Sequence, residues 1–213
     1  MAERHPEVTM TEQPTIPQAS TALILNDMIN GNLRRKGNPD HHKLIEEGGI
    51  IQNSVRLVAG LRERKVPIIW IRVERRADFA DVVFPLTDLF LASGRKRPPA
   101  TVRGSYEAAN LDELPVQPED QVVLKPRFNP FIGTDLDLQL RARKITTILF
   151  GGYSTNVGVE SGVRTARDLG YDVVVVSDCC YNVHKELHEW SLTKIMPIFA
   201  RVLTSEQVLK LLA

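Results

Sequence analysis

Six short runs of apolar residues recur along the chain, each followed by a stretch with helical spacing. Residues 21–26 (TALILN) form a continuous apolar run with no alternation, the pattern of a strand buried on both faces. Residues 66–73 (VPIIWIRV), 121–124, 145–150, 171–177 (YDVVVVS) and 201–203 read the same way. Between them, Ile51, Val55, Val58 and Leu61 fall at helical spacing within 50–64. Helical patterns also cover part of 79–92, 135–143, 157–169 and 185–199. Thr204 followed by Gln207 is a capping-box start for a last helix. Val- and Ile-rich strands alternating with helices predict an α/β fold: a single-domain three-layer sandwich around a six-stranded, mostly parallel sheet. The domain is expected over 20–213, behind a flexible, proline-bearing polar arm at 1–19. No internal repeat or low-complexity tract interrupts it.

Composition narrows the picture. The 213 residues are 43% hydrophobic and 25% charged, with a net charge of +1. That balance gives no electrostatic footprint for nucleic acid or a membrane surface. No apolar stretch approaches the roughly 20 residues that span a bilayer, and the polar start of the chain holds no apolar signal core. The two cysteines, Cys179 and Cys180, are adjacent, so they do not make a disulfide framework. A reducing cytoplasm fits that usage.

In a parallel α/β sheet the site lies at the carboxyl ends of the strands. Asp27 directly follows the first strand and Lys125 the third. An acid and an amine in a partly dry crevice perturb each other and leave a carboxyl group suited to acid–base work. A structural ion pair at two strand ends is the alternative on spacing alone. The fourth strand runs into Gly151-Gly152-Tyr153-Ser154-Thr155-Asn156-Val157-Gly158-Val159-Glu160-Ser161 and then into a helix. A helix start of this kind presents bare N–H groups to an anion or an oxyanion.

Three segments carry a resemblance that covers nearly all of 20–212. Ala22-Leu23-Ile24-Leu25-Asn26-Asp27-Met28 resembles the segment of the isochorismatase-like hydrolases that holds their catalytic Asp. Residues 125–136 (KPRFNPFIGTDL) resemble the segment with the catalytic Lys. Residues 155–161 (TNVGVES) resemble the turn that supplies the catalytic cysteine, with Gly158 at the cysteine position. The resemblance implies a Rossmann-like fold, an Asp27–Lys125–Gly158 variant of the triad and a cis peptide at Tyr153–Ser154. It also implies an oxyanion or water pocket built from Tyr153, Ser154, Thr155 and Val157. In the cysteine-bearing members a thiolate attacks an amide or ureido carbonyl. True isochorismatases resemble this chain in having Gly at that position; there the Asp acts as general acid on a vinyl ether.

The expected activity is therefore hydrolysis of a small anionic molecule without a thiol nucleophile, vinyl-ether-type chemistry favoured. Two alternatives stand beside it: an amidase or ureido-acid hydrolase inactivated by Cys-to-Gly at 158, and a non-catalytic binding or scaffold protein. The sequence departs from aryl-acid isochorismatases at 70–76 (WIRVERR), and its Thr-Asn-Val turn is nearer the amidase branch. Arg127, Phe131 and Arg75 are the candidate substrate contacts, arginine being suited to carboxylates. Arg95-Lys96-Arg97 reads as a solvated loop or subunit contact. His184 and His188 stand four apart without the order or third ligand of a metal site, so packing or capping explains them better. His41-His42 reads as solvated. Cys179 or Cys180 as a displaced nucleophile lacks a base beside it. No cofactor and no metal is expected. The expected partners are the small-molecule substrate and further copies of the chain, as a dimer or tetramer, with no nucleic acid or membrane.

Overall fold

A computed structural model describes residues 14–34, 39–82, 87, 88, 91 and 101–213 of the chain. The Arg95-Lys96-Arg97 loop, the arm over 1–13, most of 83–92 and the His41 and His42 side chains lie outside the described residues. Six strands form one sheet: β1 (Thr21–Asn26), β2 (Ile68–Val73), β3 (Gln121–Lys125), β4 (Thr147–Tyr153), β5 (Asp172–Tyr181) and β6 (Arg201–Leu203). Their order is β3-β2-β1-β4-β5-β6, and every pairing is parallel. This is the doubly wound arrangement of the Rossmann fold. The chain leaves β1 in one direction to build β2 and β3 and in the other to build β4 to β6. The crevice at the carboxyl ends of β1 and β4 is the switch point.

Helices cover both faces, which is why the strands show no alternation. Leu23, Leu25, Ile68, Trp70, Leu149, Val174 and Val176 face one layer. There they meet Leu57, Val58 and Leu61 of α1 (Ile50–Glu63) and Val208 of the C-terminal helix Ser205–Leu211. Ala22, Ile24, Ile69, Ile71, Val123, Ile148, Phe150 and Val175 face the other. Their partners are Leu136 and Leu140 of α2 (Leu136–Ala142) and Val163 and Ala166 of α3 (Glu160–Asp168). The capping box at Thr204 and Gln207 is present.

Of the 79–92 segment, residues 79–82 form hydrogen-bonded turns while Asp88 and Leu91 are helical, in keeping with a helix over part of it. The structure differs from the sequence reading in three places. The 185–199 helix is broken into Lys185–Trp190, a π turn at Ser191–Ile195 and Met196–Phe199. β5 continues through Cys179 and Cys180 to Tyr181, because the register shifts between Phe150 and Gly152 and lets the strand resume beside Gly152 and Tyr153. Residues 14–19, placed in the arm from their composition, run against the chain's other end. Ile16 donates its N–H to Leu211 and is buried in the core, and Gln18 donates to Ala213.

Gly152 is where β4 comes closest to β1. It holds φ +119, and a Cβ built there would lie 2.1 Å from the Asn26 carbonyl oxygen. Backbone, not a movable side chain, occupies that space. Gly152→Ala is therefore expected to destabilise the fold by about 2–4 kcal/mol. Urea unfolding of the variant checks this; a loss under about 0.5 kcal/mol, the range of an ordinary surface change, would show that the two strand ends can part freely.

Candidate active site

β1 ends by turning its backbone sharply. Asp27 adopts φ 52, a left-handed conformation that Asp tolerates better than most residues. Its N–H still donates to Ile71 of β2, so the turn does not cost the sheet a hydrogen bond. The turn aims the carboxylate back over the sheet edge. Oδ1 accepts from the Val73 N–H at 2.9 Å, and Oδ2 accepts from Lys125 Nζ at 2.6 Å and from the Asn26 side-chain N–H at 3.2 Å. Lys125 reaches Asp27 from the end of β3 across β2, and also donates to the Phe128 carbonyl at 2.8 Å. Asp27 is 6% exposed and Lys125 3%. Burial pushes the Asp27 carboxyl up from its ordinary value; the Lys125 ammonium, the Val73 N–H and the Asn26 amide pull against it without cancelling it.

The third wall is the turn after β4. The Tyr153–Ser154 peptide is cis. A five-residue π turn, Thr155–Val159, then leads into α3. Gly158 is buried, and a Cβ built on it would lie 2.5 Å from Asn26 Nδ2 and 3.5 Å from Lys125 Nζ. The three segments thus meet around one point, the place where a side chain of residue 158 would begin. Asn26 links them, its side-chain N–H groups donating to Asp27 and to the Tyr153 carbonyl. Ser154 and Asn156 are held by the Asn182 amide. Buried Thr155 shares a hydrogen bond with His188 Nδ1 at 2.8 Å.

Not every residue expected at the site joins this cluster. The Val157 N–H donates to the Ser154 carbonyl at 3.1 Å, so it is not an open oxyanion donor here. Phe131 turns its ring toward Tyr171, 6.5 Å away, which precedes β5 at the opposite sheet edge; it packs on the core rather than on the site. Arg75 and Arg127 both donate to the Pro126 carbonyl, at 3.1 and 2.9 Å, and so bracket the residue after Lys125. Cys179 and Cys180 are buried within β5, and burial pushes both thiols up, Cys180 to about 12. Neither is a ready thiolate. His184 precedes the Lys185–Trp190 helix, and no group of three His, Cys, Asp or Glu side chains among the described residues could hold a metal.

Sequence reasoning missed Asn26, Asn182 and His188 as parts of the site. Asn26 carried a signal: it is the one polar side chain between an apolar strand and the acid. Asn182 and His188 reach the turn from elements with no motif of their own.

Replacing Lys125 with Met would leave the Asp27 charge buried without its partner. Lys125→Met is expected to cost about 3–5 kcal/mol at neutral pH. The ammonium lowers the Asp27 pKa, so its removal raises that pKa further. The loss should therefore shrink as pH falls through it and the carboxyl becomes neutral. Denaturant unfolding from pH 4 to 8 tests the sign; a loss that is independent of pH would show that Lys125 is not countering the Asp27 charge.

An isochorismatase domain matches residues 21–207. The uncharacterized isochorismatase family protein YecD of Escherichia coli O157:H7 is 34% identical over 91% of this chain and 96% of its own length. The ureidoacrylate amidohydrolase RutB of Methylobacterium radiotolerans is 30% identical over 93% of this chain and 83% of its own length. The solved structure of an isochorismatase family protein from Burkholderia thailandensis superposes with a TM-score of 0.80 at 34% identity, covering 93% of this chain and 98% of that one. Domain match, sequence identity and fold agree along almost the whole chain, which belongs to the isochorismatase family of hydrolases.

Proposed function

We propose that this hydrolase cleaves a small anionic substrate at a vinyl ether bond, using Asp27 and Lys125 and no cysteine nucleophile. One observation supports this above the others. The buried Asp27–Lys125 pair, 2.6 Å apart, faces a residue with no side chain. A nucleophile is missing where an amide-cleaving relative would need one, while a buried acid and its partner are in place. Asp27 would give its proton to the vinyl carbon, forming an oxocarbenium ion. Water would add to that ion and return a proton to the carboxylate, and the hemiketal would fall apart into a ketone and an alcohol. Burial suits the first half of this cycle because it favours the neutral carboxyl. Lys125 suits the second half because it stabilises the carboxylate left behind.

Anionic character in the substrate is supported by two arginines held next to the residue after Lys125. Arg75 and Arg127 carry their guanidinium groups beside Pro126, directly after Lys125. Amide or ureido cleavage, the activity named for the RutB relative, fits this chain less well. Position 158 offers no thiol, and Cys179 and Cys180 are buried, which pushes both thiols up. Loss of function through a simple Cys-to-Gly change is also a poorer account, since the Asn26 amide nitrogen stands 2.5 Å from where a side chain at 158 would begin.

Asp27→Asn tests the reading on a panel of vinyl ethers, amides and ureido acids. Turnover on the vinyl ether should fall by roughly 10²–10⁴-fold, the usual contribution of a general acid. Binding should change by no more than about tenfold, or ~1.4 kcal/mol. In the unaltered enzyme the acid form is the active one, so kcat should decline as pH rises through the raised Asp27 pKa. An Asn variant that keeps most of its turnover, or a rate that climbs with pH across the same range, would remove Asp27 as proton donor.

A further inference from the structure

Asn26 closes β1 directly before Asp27 and is wholly buried. Its carboxamide does two things at once. The nitrogen donates to Asp27 Oδ2 and to the Tyr153 carbonyl, so both of its protons are used inside the site. The same nitrogen stands 2.5 Å, and the amide carbon 3.4 Å, from the point where residue 158 would carry a Cβ. Real Cβ atoms do not tolerate 2.5 Å. A swing of the Asn26 amide to make room would disturb its two hydrogen bonds, to the carboxylate and to the strand end. The amide oxygen, also buried, has no hydrogen-bond partner among the described residues. Buried acceptors are ordinarily satisfied, so the amide carries one free polar valence beside the acid.

We propose that Asn26 and Gly158 act as one unit that sets the reaction type: the Asn26 carboxamide takes the space of a nucleophilic side chain and positions the Asp27 carboxyl in its stead. Asn26 is a positioning residue, acting through Asp27. The consequence for the reaction rests on the acid–base reading above. The contact itself does not, and it can be measured without a substrate. Three groups face Asp27 from the elements packed on it. β2 contributes the neutral Val73 N–H, β3 the Lys125 ammonium, and β1 the neutral Asn26 amide, which the Tyr153 carbonyl orients from β4. Removing the amide takes a donor from the carboxylate and leaves its burial intact. The unit therefore predicts that Asp27 becomes harder to ionise without Asn26, while position 158 becomes able to take a side chain.

The test is a cycle of Asn26→Ala, Gly158→Cys and the double variant in the full chain, with the unaltered protein as the fourth corner. Thermal unfolding and alkylation by iodoacetamide are followed on all four. Cys179 and Cys180 are buried, so alkylation of the native protein reports on the introduced thiol. Gly158→Cys alone should lower the melting temperature and leave its thiol poorly reactive. Adding Asn26→Ala should recover stability and speed alkylation by about tenfold or more, a non-additive effect of the size neighbouring residues show. The carbon-13 resonance of the Asp27 carboxyl should titrate at higher pH in Asn26→Ala than in the unaltered protein. A double variant neither more stable nor more reactive than Gly158→Cys would overturn the proposal, as would an Asp27 titration that Asn26→Ala leaves unmoved. Neither result touches the Asp27→Asn comparison, so failure of the unit and failure of the acid–base reading are told apart.

Discussion

The site depends on keeping two opposite charges dry at the edge of a sheet. Asp27 and Lys125 meet at 2.6 Å with almost no exposure. Taking ions out of water costs several kcal/mol each, and their attraction offsets that only when geometry is good and the remaining polar atoms are bonded. Here the surroundings meet that condition. Val73 serves one carboxylate oxygen, Asn26 the other, and the Phe128 carbonyl accepts from the ammonium. Each donor or acceptor comes from a strand end or the loop after it. The pair is thus as rigid as the sheet, and the sheet edge is held in turn by a pair that is expensive to break on one side only.

Topology explains why such a pair can form. Lys125 is nearly a hundred residues from Asp27, yet β3 lies only two places from β1 because the chain winds outward through β2. On the other side of β1, β4 brings its turn to the same edge. Close approach there requires a residue without a side chain at 152, where the Asn26 backbone occupies the space, and again at 158, where the Asn26 side chain does. One asparagine at the end of β1 therefore shapes both neighbours. It sets how near β4 can run and what the turn beyond it can carry.

Much of this was legible in the sequence. Unbroken apolar runs separated by helical spacing gave the parallel three-layer sheet, because strands buried on both faces carry no alternation. Asp27 and Lys125 were visible as charges at the ends of such runs, and Gly158 as a small residue where the family motif has a thiol. The parts that escaped are those set by contact across the sheet. Phe131 lies in the lysine motif, but its ring goes to Tyr171 at the far edge, which no local pattern encodes. Val157 sits in the oxyanion motif, but the π turn spends its N–H on Ser154. Nothing near Cys179 signals that β5 resumes beyond the shift at Gly152 and takes both thiols into the sheet. Asn26 read as the end of a strand because its role exists only once β4 is beside it.

A thiol and a carboxamide make opposite demands on the acid next to them. A cysteine nucleophile needs the Asp as a base, charged before the reaction and neutral after it. Carbon protonation needs the same Asp neutral first and charged afterwards. Burial and Lys125 act on Asp27 in opposite senses, and burial is the larger effect in this site. The Asn26 amide supports the charged form, but being neutral it adds no second ion to be solvated. It also stands in the space where a side chain at 158 would begin. A carboxyl that burial makes harder to ionise than an ordinary one, an ammonium beside it for the charge that follows proton release, and no side chain at 158 all favour the same direction of proton transfer. Those three features, more than the overall fold, are what would separate acid-catalysed hydrolysis from amide cleavage on a shared scaffold.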